Sequence, residues 1–227
     1  DAKGERLKMA EVYEQPQDGI NVMLTIDHKI QTAVERELDN IVAKYNPDSA
    51  LIIAMDPNNG EILAMSSRPN FSPNNYQKYT VEEINRNLPI WATYEPGSTF
   101  KIITLTAALQ ENLVDLNKDT YYDTGSVRVE NAKIRCWKAG GHGHQTFLEV
   151  VENSCNPGFV ELGQRLGKDI LFSYIDKFGF GRKTGIDLNG EGTGIIFNLD
   201  RVGPVELATT SFGQGVSVTP IQQITAV

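Results

Sequence analysis

The 227-residue sequence has few cysteines, no excess of basic residues and no long hydrophobic run. Two cysteines cannot hold together a disulfide-rich secreted scaffold, and a chain of this length can bury a core without such cross-links. Acidic residues outnumber Lys and Arg by 29 to 21, a net charge of −8, which argues against nucleic-acid binding. No apolar stretch reaches the roughly 18 residues of a membrane-spanning helix, and no signal peptide is recognisable.

Both ends of the sequence suggest a fragment of a larger protein. It begins without Met. At the other end, Thr219-Pro220 opens a helix whose apolar stripe stops at Val227, the last residue. Residues 1–20 are polar and without clear periodicity, and we interpret them as a linker or the edge of a preceding domain. The remainder, 21–227, is then part of one domain that continues further.

The hydrophobic pattern predicts alternating helices and short strands. The predicted strands are Asn21–Ile26, Ala50–Met55, Glu61–Met65, Ser126–Val129 and Lys133–Cys136, with a loop at Gly140–His144. The predicted helices run from Asp27 to Asn46, from Ser98 to Asn112, from Thr146 to Ser154, onward from Pro157, and from Ile170 to Phe178. A helix followed by a hairpin indicates an antiparallel sheet covered by helices, which is an α+β arrangement.

The motif Ser98-x-x-Lys101 carries the sharpest chemical signal. Pro96-Gly97 places Ser98 in the first turn of a helix, where unpaired N–H groups favour an oxyanion. Lys101 lies one turn later over the same face, and burial would lower the pKa of its amine so that it can serve as a base. The two residues are a candidate acyl-transfer pair, and the alternative is a capping serine near a solvated lysine.

A second polar pair is formed by Ser154 and Asn156. Pro157 disfavours helical geometry at Asn156, so we expect the helix to break there and to present both side chains on a loop. The Ser154 hydroxyl could pass a proton between the lysine and a leaving group, and the Asn156 amide could both donate to and accept from a substrate. The alternative is a pair of turn residues that end one helix and cap the next.

Together the two motifs resemble the penicillin-recognising serine acyltransferases, and nearby segments resemble class B penicillin-binding proteins. These segments are Leu24–Asp27, Ala54–Pro57, Gly60–Met65, Glu95–Lys101 and Phe212–Gly215. The resemblance covers nearly the whole chain from about residue 20. It implies the family's α+β transpeptidase fold, in which an antiparallel sheet with flanking helices meets an all-helical lobe at the active site.

The third motif of that family, K-T-G, is spelled by Lys183-Thr184-Gly185. In the family the catalytic K-T-G lies on a strand facing the serine and is usually followed by Ser or Thr, whereas Ile186 follows here. We therefore interpret Lys183 as structural and expect the catalytic K-T-G beyond Val227. The strand that completes the oxyanion hole would lie there too.

The resemblance implies a D,D-transpeptidase. Ser98 would attack the penultimate D-alanyl carbonyl of a peptidoglycan stem peptide, with Lys101 as base, Ser154 as proton relay and Asn156 holding the donor amide. An amine of a neighbouring strand would then take the acyl group and form a cross-link. A β-lactam would mimic the donor and leave Ser98 acylated.

The same resemblance implies the protein's surroundings. We expect a membrane glycosyltransferase as partner, a position on the extracytoplasmic face of the bacterial cell membrane with an anchor outside this sequence, and a role in cell division or spore cortex synthesis. Two other functions share the Ser and Lys: a serine β-lactamase, which must release the acyl group to water, and a β-lactam sensor, which stays acylated and signals.

Cysteine and histidine are concentrated in one stretch that holds Cys136, His142, His144 and Cys155. Two thiolates and two imidazoles are a complete tetrahedral zinc set, and Asp123 could replace a histidine that faces solvent. Because Cys155 lies inside the Ser-x-Asn motif, a structural zinc would fix the catalytic loop. The alternatives are a Cys136–Cys155 disulfide and two free thiols.

Overall fold

The computed structural model describes residues 16–227, so residues 1–15 of the predicted linker lie outside the described part. Within 16–227 the helices are α1 (His28–Tyr45), α2 (Val81–Asn85), α3 (Leu88–Trp91), α4 (Lys101–Gln110), α5 (Phe147–Glu152), α6 (Asn156–Lys177), α7 (Pro204–Thr210) and α8 (Pro220–Ala226). The strands are β1 (Ala50–Met55), β2 (Ile62–Arg68), β3 (Thr120–Asp123), β4 (Ser126–Val129), β5 (Ala132–Arg135) and β6 (Gly143–Thr146). Short 3₁₀ turns cover Pro73–Lys78, Gly97–Phe100 and Leu199–Arg201.

Three two-stranded antiparallel sheets form among the described residues: β1–β2, β3–β6 and β4–β5. The β1 and β4 boundaries are as predicted, whereas β2 runs on to Arg68 and β5 is shifted by one residue. The Gly140–His144 loop prediction is wrong in its second half, because Gly143 and His144 pair with β3. The predicted α+β class is confirmed.

Helix α1 covers the β1–β2 hairpin. It begins after Asp27, whose carboxylate caps the first turn as predicted. Leu38 is fully buried against Ala64 of β2. At the end of β2, the Arg68 guanidinium donates to the Glu35 carboxylate of α1 at 2.7 Å. Apolar packing and this ion pair therefore hold the helix against one face of the hairpin.

The strand predicted at Asn21–Ile26 is absent: among the described residues this segment belongs to no strand and joins no sheet. Its contacts with β2 are a hydrogen bond from the Thr25 hydroxyl to the Ile62 carbonyl and one from the Asp27 N–H to the Leu63 carbonyl. Met23 is 95% exposed. Val22 and Leu24 are also more than 70% exposed, so most of the apolar side chains that suggested a strand remain in contact with solvent.

The larger core lies between α4, α5, α6 and α7. Its fully buried side chains include Phe100, Ile103, Phe147, Phe159 and Leu162. Helix α6 is interrupted at Gly167, whose φ is 70°, so the helix predicted from Ile170 is the second half of α6. No helix among residues 16–227 is long and apolar enough to cross a membrane.

Candidate active site

Ser98 and Lys101 lie where a 3₁₀ turn passes into α4. Ser98 is exposed, and the Lys101 N–H donates to the Ser98 carbonyl. Among residues 16–227 the Lys101 amine donates to Ser154 and Asn156 and not to the Ser98 hydroxyl. The helix predicted to start at Ser98 therefore begins as a tighter turn that presents the serine to solvent and directs the lysine inward.

The Lys101 side chain is buried, with only 5% of the residue exposed. Its Nζ donates to the Ser154 carbonyl at 2.8 Å, to Ser154 Oγ at 2.9 Å and to Asn156 Oδ1 at 2.7 Å. The same nitrogen lies 5.1 Å from the centre of the Phe159 ring. Three of the four predicted catalytic side chains are therefore in direct contact.

Burial lowers the pKa of Lys101 to about 8, since the charged form loses its hydration. The ammonium still predominates at neutral pH, and three acceptors satisfy its three N–H groups. Once the amine is neutral, it has one free electron pair that can accept a proton. The site thus holds a lysine that can change protonation state close to physiological pH.

The break between α5 and α6 positions Ser154 and Asn156. The sequence predicts it at Asn156, whereas the structure places it at residues 153–155, and Asn156 is the first residue of α6. Ser154 has a positive φ of 49°, which is uncommon for a residue other than glycine. This reversal turns both the Ser154 carbonyl and its hydroxyl toward Lys101.

A distant segment, Phe212–Gly215, braces the turn that carries Ser98. The Gly97 N–H donates to the Gly213 carbonyl at 2.9 Å. A side chain at Gly213 would collide with the Gly97 carbonyl and with Cβ of Phe100. Backbone packs directly on backbone here, which explains a glycine at this position.

Asp123, Cys136, His142 and Cys155 form a cluster beside the loop that carries Ser154, with one ligand atom from each within 4.8 Å of the others. His142 Nδ1 lies 3.1 Å from Asp123 Oδ2 and 3.4 Å from Cys136 Sγ. Cys155 Sγ lies 3.4 Å from the same Asp123 oxygen. Both cysteines are free thiols, so the disulfide alternative is not formed in this structure.

The predicted ligand His144 lies outside this cluster. It is exposed on β6, where alternation along the strand buries the next residue, Gln145, and turns His144 to solvent. Asp123 takes the fourth position, at the end of the paired strand β3. Residue type and spacing could not show which side of β6 faces the core.

Hydrogen bonding fixes the charge of Asp123. Burial alone would raise its pKa, but hydrogen bonds from Cys136, the Gly125 N–H and His142 hold the pKa at about 2. Burial raises the pKa of Cys155 to about 12. The pKa shifts therefore favour the ionised carboxylate of Asp123 and the protonated thiols of Cys136 and Cys155.

Lys183 is exposed on a loop rather than on a strand. The buried Glu191 carboxylate accepts hydrogen bonds from the N–H and hydroxyl of Thr184, both at 2.6 Å, and from the Gly185 N–H. The K-T-G letters therefore belong to a loop whose backbone is held by the Glu191 carboxylate.

Sequence reasoning missed Trp137 as a residue of this region. Its indole N–H donates to the Asn153 carbonyl at 2.8 Å, one residue before Ser154, and its ring packs edge-on against His142. The side chain is otherwise exposed. Its position between a cysteine and a glycine-rich loop was the only available signal.

The chain belongs to the penicillin-binding protein transpeptidase domain family, whose domain it matches over residues 50–227. The predicted resemblance is thereby confirmed. Two solved structures share the fold: a peptidoglycan glycosyltransferase from Burkholderia ambifaria (TM-score 0.78, 25% identity, 88% of this chain and 58% of that one) and the transpeptidase domain of Burkholderia pseudomallei penicillin-binding protein 3 (TM-score 0.79, 24% identity, 92% and 58%).

Among individual proteins, the chain is 65% identical to stage V sporulation protein D of Bacillus subtilis (strain 168) over 228 aligned residues, which are all of this chain and 35% of that protein. It is 34% identical to the peptidoglycan D,D-transpeptidase FtsI of Escherichia coli (strain K12), over 89% of this chain and 34% of that one. The chain thus spans about a third of the length of these curated relatives.

Proposed function

We propose that this chain is the part of a peptidoglycan D,D-transpeptidase domain that carries the nucleophilic serine and its general base. The observation that supports the proposal best is the contact of Lys101 with Ser154 and Asn156, because it couples the two family motifs through one buried amine. Membership of the transpeptidase family and the names of the relatives agree with this activity.

In the proposed reaction, Ser98 Oγ forms a bond to the D-alanyl carbonyl carbon while its proton passes to neutral Lys101. The C–N bond to the terminal D-alanine then breaks, and Ser154 returns the proton to the departing amine. Asn156 holds the donor amide, and the Ser98 N–H, in the first turn, supplies one oxyanion donor. The amine of a second stem peptide then displaces Ser98 Oγ, which regains its proton.

The proposed chemistry also indicates the substrates, the partner protein and the cellular location. The substrates are stem peptides, and β-lactams acylate Ser98 in place of the donor. Because peptidoglycan is cross-linked outside the cytoplasm, we place the reaction on the extracytoplasmic face of the cell membrane, beside a membrane glycosyltransferase that supplies glycan strands. The 65% identity with a stage V sporulation protein favours a role in spore wall synthesis over one in cell division.

The nucleophile is tested with a fluorescent penicillin on the full-length protein. We expect Ser98→Ala to abolish covalent labelling, whereas Ser173→Ala, at an exposed serine of α6, leaves it unchanged. A chromogenic cephalosporin separates the rival functions, because a transpeptidase or sensor gives a burst that stops and a β-lactamase continues to turn over. Cross-linking of a donor and an acceptor peptide then separates transpeptidase from sensor. Full labelling of Ser98→Ala would show that another residue is the nucleophile.

We also propose that Asp123, Cys136, His142 and Cys155 bind a structural zinc ion. Zinc bonds of about 2.0–2.3 Å in a tetrahedron place ligand atoms roughly 3.3–3.8 Å apart. Three pairs lie 3.1–3.4 Å apart and all pairs lie within 4.8 Å, so small shifts of the side chains would complete the site. Two sulfurs, one imidazole nitrogen and one carboxylate oxygen match the ligand preferences of zinc. The buried Gln145 amide nitrogen, which has no hydrogen-bond partner among the described residues, is available as a donor to a metal-bound thiolate.

With four protein ligands such a zinc ion has no open position, so its role is to hold the loop and not to activate water. Cys155 is a member of the cluster and lies in the sequence directly between Ser154 and Asn156. The metal would therefore stabilise the geometry in which both side chains face Lys101.

The zinc proposal is tested by elemental analysis of protein purified without added metal. We expect about one equivalent of zinc, retained in His144→Ala and lost in His142→Ala and Cys155→Ser. A chelator should lower the melting temperature of the parent protein and leave that of His142→Ala unchanged. Zinc well below one equivalent in the parent, with no chelator shift, contradicts the proposal; mass measurement after alkylation then tells free thiols from a disulfide.

A further inference from the structure

The β4–β5 hairpin has one apolar and one cationic face. Val129 and Ile134 are buried in the core. Side chains alternate along a strand, and Arg128, Lys133 and Arg135 are all exposed. In the register of the hairpin Arg128 lies directly opposite Lys133, and Arg135 follows two residues later on the same face. Three positive side chains are therefore neighbours on the solvent side.

This arrangement costs stability, because like charges directly opposite each other in a sheet repel. Within residues 16–227 none of the three forms a salt bridge with a carboxylate. From 126 to 138 the sequence has four basic residues and one acidic residue, in a protein whose net charge is −8. A concentrated positive field on an otherwise acidic protein indicates an anionic ligand.

A groove of about 390 Å³ runs beside this face, lined among others by Lys133, Arg135, Trp137 and Lys138. Trp137 is 68% exposed and offers an aromatic surface at the end of the groove. Its indole N–H is fixed to the Asn153 carbonyl, adjacent to Ser154, whose hydroxyl contacts Lys101. One lining residue of the groove, Trp137, is therefore hydrogen-bonded to the residue that precedes Ser154.

We propose that this cationic groove binds the acceptor stem peptide, the one whose amine takes the acyl group from Ser98. The inference rests on the proposed transpeptidase function, which requires a second peptide next to the acyl-enzyme. Stem peptides carry free carboxylates, which guanidinium groups bind through two parallel hydrogen bonds and ammonium groups bind as point charges. Trp137 packs on the aliphatic part of the same peptide. Acyl transfer itself is unchanged: the Ser98 ester bond breaks, the amide bond forms and Oγ regains a proton.

The test separates acylation from transfer in the full-length protein. In the variant Lys133→Ser/Arg135→Ser/Lys138→Ser, which removes the three basic side chains that line the groove, fluorescent penicillin should label Ser98 at the parental rate, since these side chains make no hydrogen bond to Ser98 or Lys101. The KM for an acceptor peptide with free carboxylates should rise about tenfold or more at low salt, a loss of about 1.4 kcal/mol. The KM for the same peptide with amidated carboxylates should be equally high for parent and variant.

The matched control is Lys29→Ser/Arg36→Ser/Lys44→Ser, which removes the same charge from α1. It should leave the acceptor KM unchanged. An equal rise in both triple variants, or no rise in either, overturns the inference while leaving acylation as evidence for the transpeptidase function. Stronger competition by poly(glycerol phosphate) than by the carboxylate peptide also overturns it, because the groove would then be a phosphate site. A parent protein that is never acylated disproves the proposed function instead.

Discussion

The Glu95 carboxylate accepts a hydrogen bond of 2.8 Å from the Gly215 backbone N–H, although the two residues are 120 positions apart. Together with the Gly97–Gly213 contact, it attaches the turn of Ser98 to the segment that follows α7. The turn that carries Ser98 is therefore fixed both by α4, into which it continues, and by the segment Phe212–Gly215.

We expect Glu95→Ala to slow penicillin acylation about tenfold, because a charge-assisted hydrogen bond of this kind contributes about 1.5–3 kcal/mol. Glu95→Gln keeps an acceptor oxygen and should recover part of the rate. The control Glu61→Ala removes an exposed carboxylate that makes no hydrogen bond within residues 16–227. Stopped-flow acylation kinetics measure all three, and equal rates for Ala and Gln at position 95 would contradict a role for this bond.

Acylation should depend on pH through Lys101. Because burial lowers its pKa to about 8 from the usual 10.5, the rate should rise between pH 6 and 9 with a midpoint near 8. Stability should follow the same group: relative to Lys101→Met, the parent protein should gain stability as the pH rises from 8 toward 10.5, where only the unfolded chain holds the extra proton. A flat rate profile across this range would exclude Lys101 as the base.

Asn156→Asp should move that midpoint upward. A carboxylate in place of the amide oxygen, 2.7 Å from Nζ, stabilises the ammonium and raises the pKa of Lys101. The position of the midpoint, rather than the size of the rate, is the informative readout, because Asn156 is also proposed to hold the donor amide. Asn153→Asp, whose side chain contacts Gln145 instead, serves as the comparison.

Gly213→Ala should destabilise the fold more than Gly185→Ala. Both glycines have positive φ, 81° and 87°, so an alanine costs about 1–2 kcal/mol at either site. A Cβ at Gly185 meets no atom within 4 Å, whereas one at Gly213 meets the Gly97 backbone. We expect a total loss of about 3 kcal/mol for Gly213→Ala in urea unfolding. Similar losses of unfolding free energy for the two variants would mean that the backbone segments at Gly97 and Gly213 can move apart at little cost.

The sequence correctly predicted those helices whose first and last turns contain capping residues. Asp27 and Asn46 bound α1, and Thr146 forms the expected capping box at the start of α5. The strand predicted at Asn21–Ile26 was wrong because a strand forms only beside a second strand. The hydrophobicity of a segment does not show whether such a partner is present.

For the candidate site too, the sequence predicted the residues but not their tertiary contacts. Motif spelling pointed to Ser98, Lys101, Ser154 and Asn156, yet it could not show that the lysine bonds to the second motif across 53 residues of sequence. The choice of Asp123 over His144 depended on which face of β6 is buried, and the Glu95–Gly215 bond depended on tertiary packing alone.

The three acceptors around Lys101 set a condition for inhibitor design. A compound that displaces Asn156 or Ser154 from the Lys101 amine leaves a buried ammonium hydrogen without a partner, at a cost of about 1–3 kcal/mol. Such a compound therefore needs an oxygen or nitrogen acceptor placed within hydrogen-bond distance of Nζ. Purely apolar groups belong on the side of Phe159, whose ring already faces the amine.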